Sequence, residues 1–130
     1  MFPSNLARIT VGIFVELDCS SIKALRQLPN LQVLKLRHGT IPGPLDCATG
    51  DFPKLQVFEM ADLRVKSWKL AKGAMPALQS LLIDECSKLR VLPEQLWSLT
   101  TLSKVRVINP SLELANSLKH AECSCLVSLM

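Results

Sequence analysis

The sequence contains no tyrosine, only 5% aromatic residues and only five glycines in 130 residues. An interior so poor in rings has to be filled with Leu, Ile and Val, which the 48% hydrophobic content supplies for a single domain with a continuous core. A membrane span is also missing, because no apolar run approaches the ~18 residues required. The first residues show no charged segment leading into an apolar one, so neither export nor insertion is indicated. There is no G-x-x-x-x-G-K-[ST], so no phosphate-binding loop and no nucleotide cofactor are expected. Asn5, Asn30 and Asn116 lack the hydroxyl residue of a glycosylation acceptor, and Asn109 is followed by Pro110. Metal chemistry has little to work with: His38 and His120 are the only histidines, and Cys19, Cys47, Cys86, Cys123 and Cys125 include no C-x-x-C pair. Cys123-Ser124-Cys125 has no further ligand at finger-like spacing, so all five read as buried or free thiols. Reduced thiols point to a cytoplasmic chain.

What is present is a repeat. From Leu78 to Leu102 (LQSLLIDECSKLRVLPEQLWSLTTL) the apolar residues follow neither a 3.6-residue nor a 2-residue period. They describe a short strand, L-x-x-L-x-L, a turn at Cys86 and a looser return, L-x-x-L-P-x-x-L-x-x-L, which is the layout of a leucine-rich repeat. The strand pattern recurs as Leu6, Ile9, Val11; Leu31, Leu34, Leu36; Leu55, Phe58, Met60; Leu78, Leu81, Ile83; and Leu102, Val105, Val107. The lead leucines stand 25, 24, 23 and 24 residues apart, inside the range of about 20–29 for this class. Each coil has one apolar side and hides it only against its neighbours. Phe2-Pro3, Leu28-Pro29, Phe52-Pro53 and Met75-Pro76 build the same corner ahead of four strands, where a residue with no N–H belongs; Leu99-Thr100 lacks the proline.

The expected fold is therefore an α/β leucine-rich-repeat solenoid, a right-handed horseshoe arc. Its concave sheet of about five parallel strands lies near residues 8–12, 33–37, 57–61, 80–84 and 104–108, and the convex segments are irregular or 3-10. Cys19 to Leu28 spaces Ile22, Leu25 and Leu28 for a short helical or 3-10 turn. Ile41 to Asp51 is too rich in Pro and Gly for a helix and reads as an irregular loop. Leu63 to Leu70 alternates Leu63, Val65, Trp68 and Leu70 among Arg64, Lys66 and Lys69, which suits a short extra convex strand. After Val107 the period stops: Asn109-Pro110-Ser111 gives a turn and an N-cap, and Leu112, Leu114, Ala115 and Leu118 suit a closing helix with the apolar tail Cys125 to Met130 beneath it. The organisation expected is leucine-rich repeats over 1–110 and a helical cap with tail over 111–130. The strand at Leu6 has no comparable cover, so the chain reads as the C-terminal part of a longer array or a short paralogue of one.

These residues carry a resemblance. The F-P-x-L corners, MPALQSLLIDECSKLRVLPEQLWSLTTL and LANSLKHAE resemble the C-terminal leucine-rich repeats of plant intracellular disease resistance proteins of the coiled-coil, nucleotide-binding, leucine-rich-repeat type. The resemblance runs from Phe2 to about Glu122. It implies a recognition and autoinhibitory surface in innate immunity, with a pathogen effector, a host guardee or the receptor's own upstream domains as protein partners. ATP binding does not carry over, because the phosphate-binding loop is missing. The alternative is a cytosolic leucine-rich-repeat signalling scaffold unrelated to defence.

Alternation across the strands puts Arg8, Thr10, Val33, Lys35, Arg37, Val57, Glu59, Ser80, Leu82, Asp84, Lys104, Arg106 and Ile108 on the concave side. Arg8, Val33, Lys35, Arg37, Val57, Glu59, Leu82, Asp84, Lys104 and Arg106 are the candidate partner-binding residues, with Lys35 and Arg37 facing Glu59 and with Leu82 exposed between Glu59 and Arg106. No catalytic, cofactor or metal residues are assigned. His38, set level with Asp62 and Asp84, could be imagined with Cys86 as a nucleophilic site, but a solvated turn histidine and a buried turn cysteine are the simpler account and no enzyme is expected. Fifteen basic residues against eleven acidic ones, dispersed along the chain, give a net charge of +4 that does not single out nucleic acid. Trp68 and Trp97 fall in convex segments and read as packing residues rather than a base-stacking platform.

Overall fold

The computed structural model describes residues 7–11, 19–41, 44–119 and 126–129; for 9–11, 19–22, 117–119 and 126–129 it describes the backbone alone. The concave strands are β1 (Arg8–Val11), β2 (Val33–Arg37), β4 (Val57–Ala61), β6 (Ser80–Asp84) and β7 (Lys104–Ile108), as the leucine spacing predicts. The convex side carries α1 (Cys19–Arg26), β3 (Leu45–Cys47), β5 (Trp68–Leu70) and a 3-10 turn (Glu94–Ser98). The chain then runs through α2 (Leu112–Lys119) into β8 (Leu126–Leu129). The main sheet has the order β1-β2-β4-β6-β7-β8, and every pair in it is parallel. The corner at Phe2-Pro3, Leu6, Pro42-Gly43 and Cys123 to Cys125 lie outside the described residues.

Two apolar columns run behind this sheet. Register places Leu34, Phe58, Leu81 and Val105 in one row and Leu36, Met60, Ile83 and Val107 in the next. All eight are at most 2% exposed, and the lead residues Leu31, Leu55, Leu78 and Leu102 are buried beside them. Phe58 anchors the middle, stacked against Phe52 at 6.4 Å between centroids and edge-on to Trp68 at 5.6 Å.

Backbone bonds at both ends of each strand set the coil spacing. Before the strands, the carbonyls of Ala7, Gln32, Gln56 and Gln79 each accept two N–H groups from the next coil, as Gln56 O does from Gln79 and Ser80 at 2.8 and 3.0 Å. After the strands, His38, Asp62, Glu85 and Asn109 all adopt the left-handed conformation, φ 48° to 54°. The N–H groups of the first three reach the next coil: His38 to Ala61 O at 2.9 Å, Asp62 to Asp84 O at 2.7 Å and Glu85 to Ile108 O at 3.0 Å. At two of the proline corners, Phe52-Pro53 and Met75-Pro76, the turn is made by the residue ahead of the proline. Phe52 and Met75 have φ 51° and 50° and are buried, and they donate to Arg26 O and Asp51 O of the preceding coil.

The convex side departs from expectation in one coil. Leu45–Cys47, read as irregular loop, is a strand that pairs in parallel with β5, with the predicted strand at Trp68–Leu70 as its partner. Leu45 and Cys47 point into the core while Asp46 is exposed, and Leu45 N and Ala71 N complete the ladder with Ser67 O and Cys47 O at 2.9 Å each. Both edges of this small sheet have a local cause. The Arg26 guanidinium donates to Asp46 O on one side. On the other, the residue one 23-residue period after Leu70 is Pro93, which has no N–H to extend the ladder.

The end of the chain departs as well. Ser111 caps α2 as predicted, accepting from Leu114 N at 3.1 Å while its own hydroxyl donates to Leu89 O at 2.9 Å. Leu114 is buried by this docking, but Leu112 is 75% exposed. The helix does not close the array, and the tail does not lie beneath it. Leu126–Leu129 pairs with β7 as a sixth parallel strand, so α2 is the crossover that a parallel pair requires.

Leu81 tests the stacking, since it is 2% exposed with a coil on either side. Leu81→Ala is expected to lower unfolding free energy by about 2–5 kcal/mol in urea titration, with an unchanged slope.

Candidate protein-interaction surface

Because side chains alternate across a strand, the residues between the buried pairs face the concave side, and register sorts them into three rows. The first holds Arg8, Val33, Val57, Ser80 and Lys104. The second holds Lys35, Glu59, Leu82 and Arg106, beginning at the Thr10 position. The third holds Arg37, Ala61, Asp84 and Ile108. All ten candidate residues therefore belong to one surface. Arg8, Arg37 and Lys104 are exposed, and the other seven are half-buried.

Within this face the geometry corrects three expectations. Lys35 does face Glu59, with Nζ 3.2 Å from Oε2, but Arg37 stands opposite Ala61. Leu82 does lie between Glu59 and Arg106, but half-buried rather than exposed. Asp84 is the last residue of its strand, so the position level with His38 and Asp62 belongs to Glu85. The face carries Arg8, Lys35, Arg37, Lys104 and Arg106 against Glu59 and Asp84, an excess of positive charge. Over β4, β6 and β7 it forms an open depression of about 140 Å³ whose walls include Val57, Glu59, Leu82 and Arg106.

A polar edge borders the face, of which sequence reasoning set His38 level with Asp62 but missed Glu85 and Asn109. His38 Nδ1 lies 3.1 Å from Asp62 Oδ2, both half exposed, and Asn109 Nδ2 donates to Glu85 Oε1 at 3.4 Å. The available signal was that these residues recur every 23–24 positions and include His, Asp and Asn, the non-glycine types enriched in the left-handed region.

The imagined nucleophile is not part of that edge. Cys86 is fully buried, its Sγ 3.6 Å from Met60 O and 3.7 Å from Asp84 O, and burial pushes its thiol up to about 11. Burial also pushes the Cys47 thiol up to about 12. At neutral pH neither supplies the thiolate that attacks or binds metal. No group of His, Cys, Asp and Glu suited to a metal ion occurs among the described residues, and no helix among them is long and apolar enough to cross a membrane. Trp68 is 3% exposed, so it offers no stacking platform.

A leucine-rich parallel solenoid presenting a mixed concave face is thus the class of fold this chain adopts. Comparison with known proteins places it further. The chain is 30% identical over 108 residues to Disease resistance protein RPP8 of Arabidopsis thaliana, and 34% identical over 109 residues to Probable disease resistance RPP8-like protein 2 of the same plant. It is 33% identical over 107 residues to Probable disease resistance protein RF45, also of Arabidopsis thaliana. These alignments cover 82%, 82% and 81% of this chain but only 12%, 12% and 10% of the relatives. The chain is homologous to a segment of plant disease resistance proteins. No family model matches it.

The two buried thiols generate a test with a defined pH sense. Their ordinary value is 9.0 and their folded values are higher, so the folded state keeps protons that the unfolded chain releases. Their contribution is complete below pH 9 and is lost as pH rises toward 11–12. Site-resolved alkylation at pH 8 is expected to leave Cys47 and Cys86 unmodified in the folded protein and to label both in denaturant. Stability should fall with increasing pH above 9.

Proposed function

We propose that the chain is a protein-recognition segment of a plant disease resistance receptor, acting in the cytoplasm through its concave face and without catalysis. The observation that carries this reading is the in-register surface itself: apolar Val33, Val57 and Leu82 interleaved with five cations on a rigid parallel sheet. Such a strip gives a protein ligand both desolvated anchors and charge steering. Homology to disease resistance proteins supports the defence role, and the buried, protonated Cys86 supports the absence of a nucleophilic site. The partners proposed are a pathogen effector, a host guardee or the upstream domains of the receptor, with no nucleic acid and no cofactor.

The test is Arg37→Glu combined with Arg106→Glu, compared with Arg64→Glu combined with Lys66→Glu on the convex side. Affinity for the upstream domains or a candidate effector is expected to fall by at least about tenfold with the concave pair and to change little with the convex pair. The reverse pattern would move the interface to the convex side.

A further inference from the structure

The depression on the concave face has a chemistry specific enough to name what fits it. Its lining joins the half-buried side chains of Leu82 and, one row away, Val57 to Glu59, Ser80, Lys104 and Arg106 in the rim. The one carboxylate in the rim is already matched, since Glu59 holds the Lys35 ammonium at 3.2 Å. Lys104 is in a different position: it is exposed, stands opposite Ser80, and forms no ion pair among the described residues. The depression therefore joins an apolar lining to an ammonium with no ion pair among the described residues, with a guanidinium in the same wall.

We propose that this depression receives one aliphatic side chain of an extended partner polypeptide whose nearby Asp or Glu is held by Lys104. The inference rests on the concave-face reading above and adds the chemistry of the ligand. Lys104 lies one strand across from Leu82 and two residues back, roughly 5 Å sideways and 7 Å along the sheet. The diagonal is about 8.6 Å and an extended peptide advances about 3.3 Å per residue, so its aliphatic and acidic residues are two or three positions apart. A volume of about 140 Å³ matches a single side chain. The apolar lining disfavours a phosphate backbone, which would bury nothing against it.

The experiment is selection of a displayed random 12-residue peptide library on the full 130-residue chain, followed by fluorescence anisotropy of the enriched peptide. Enrichment of Leu, Ile, Val or Met two or three positions from Asp or Glu is expected. Lys104→Glu, an exposed change that leaves the core untouched, should weaken such a peptide by about tenfold or more. A version of the peptide with its acid changed to Lys should recover binding to K104E. Basic or apolar-only consensus sequences, no enrichment at all, or full affinity for K104E would overturn the proposal. Peptides lost on Arg37→Glu but indifferent to Lys104→Glu would overturn this site and leave the concave reading standing. Peptides indifferent to both but lost on Arg64→Glu with Lys66→Glu would overturn the two together.

Discussion

Hydrogen bonds from each coil to the next hold this molecule to a single register, and the remaining features follow from that register. The double acceptance at Gln32 O, Gln56 O and Gln79 O locks the start of each strand, and the left-handed residues lock its end. Between these two anchors only five residues have to lie flat, so the buried pairs of neighbouring coils stand at the same height. A one-residue slip would send Leu34, Phe58 and Leu81 to the concave side and the charged residues inward. The concave face owes its order to the core: Lys35 meets Glu59 because Leu34 meets Phe58 and Leu36 meets Met60.

The anchors come at a local cost that the stacking has to offset. A non-glycine residue held in the left-handed region costs about 1–2 kcal/mol, and six of the described residues are held there: His38, Phe52, Asp62, Met75, Glu85 and Asn109. Four of them are polar and sit at the solvent edge, where His38 and Asp62 or Glu85 and Asn109 pair with each other. Phe52 and Met75 use the same backbone conformation for an opposite purpose, turning large apolar side chains fully inward at the corner.

What was legible in the sequence was everything that repeats. Strand positions, the two core columns and the concave rows follow from L-x-x-L-x-L at a period near 24, because the same burial requirement recurs in each coil. What was not legible depends on a partner far along the chain. Leu45-Asp46-Cys47 follows a Pro-Gly-Pro run whose local preference is for a turn, and only pairing with Trp68–Leu70, 23 residues on, makes it a strand. β8 escaped for the same reason, as Leu126–Leu129 lacks the L-x-x-L lead-in and is recruited by the open edge of β7. Within the candidate surface the error at Arg37 was one of counting, because its neighbour is set by register rather than by the nearest opposite charge. The Leu82 depression was half legible: the row of residues could be written down, but not how deeply Leu82 sits between its neighbours.

The small convex sheet gives the array a grain. The coils of β2 and β4 are joined on both faces, once through the concave ladder and again through β3 and β5, whereas the coils of β4, β6 and β7 are joined in ladder on the concave face alone. A gene duplication or loss that adds or removes one whole coil on the β6 side leaves every remaining junction made of the same kind of bond. It moves the surface sideways by one strand, about 4.8 Å. The same event between β2 and β4 would strand Leu45–Cys47 without its partner and expose Cys47. Lineages descended from such an array should therefore change their surface by trading coils around β6 and β7, and inherit the β2–β4 pair as a block.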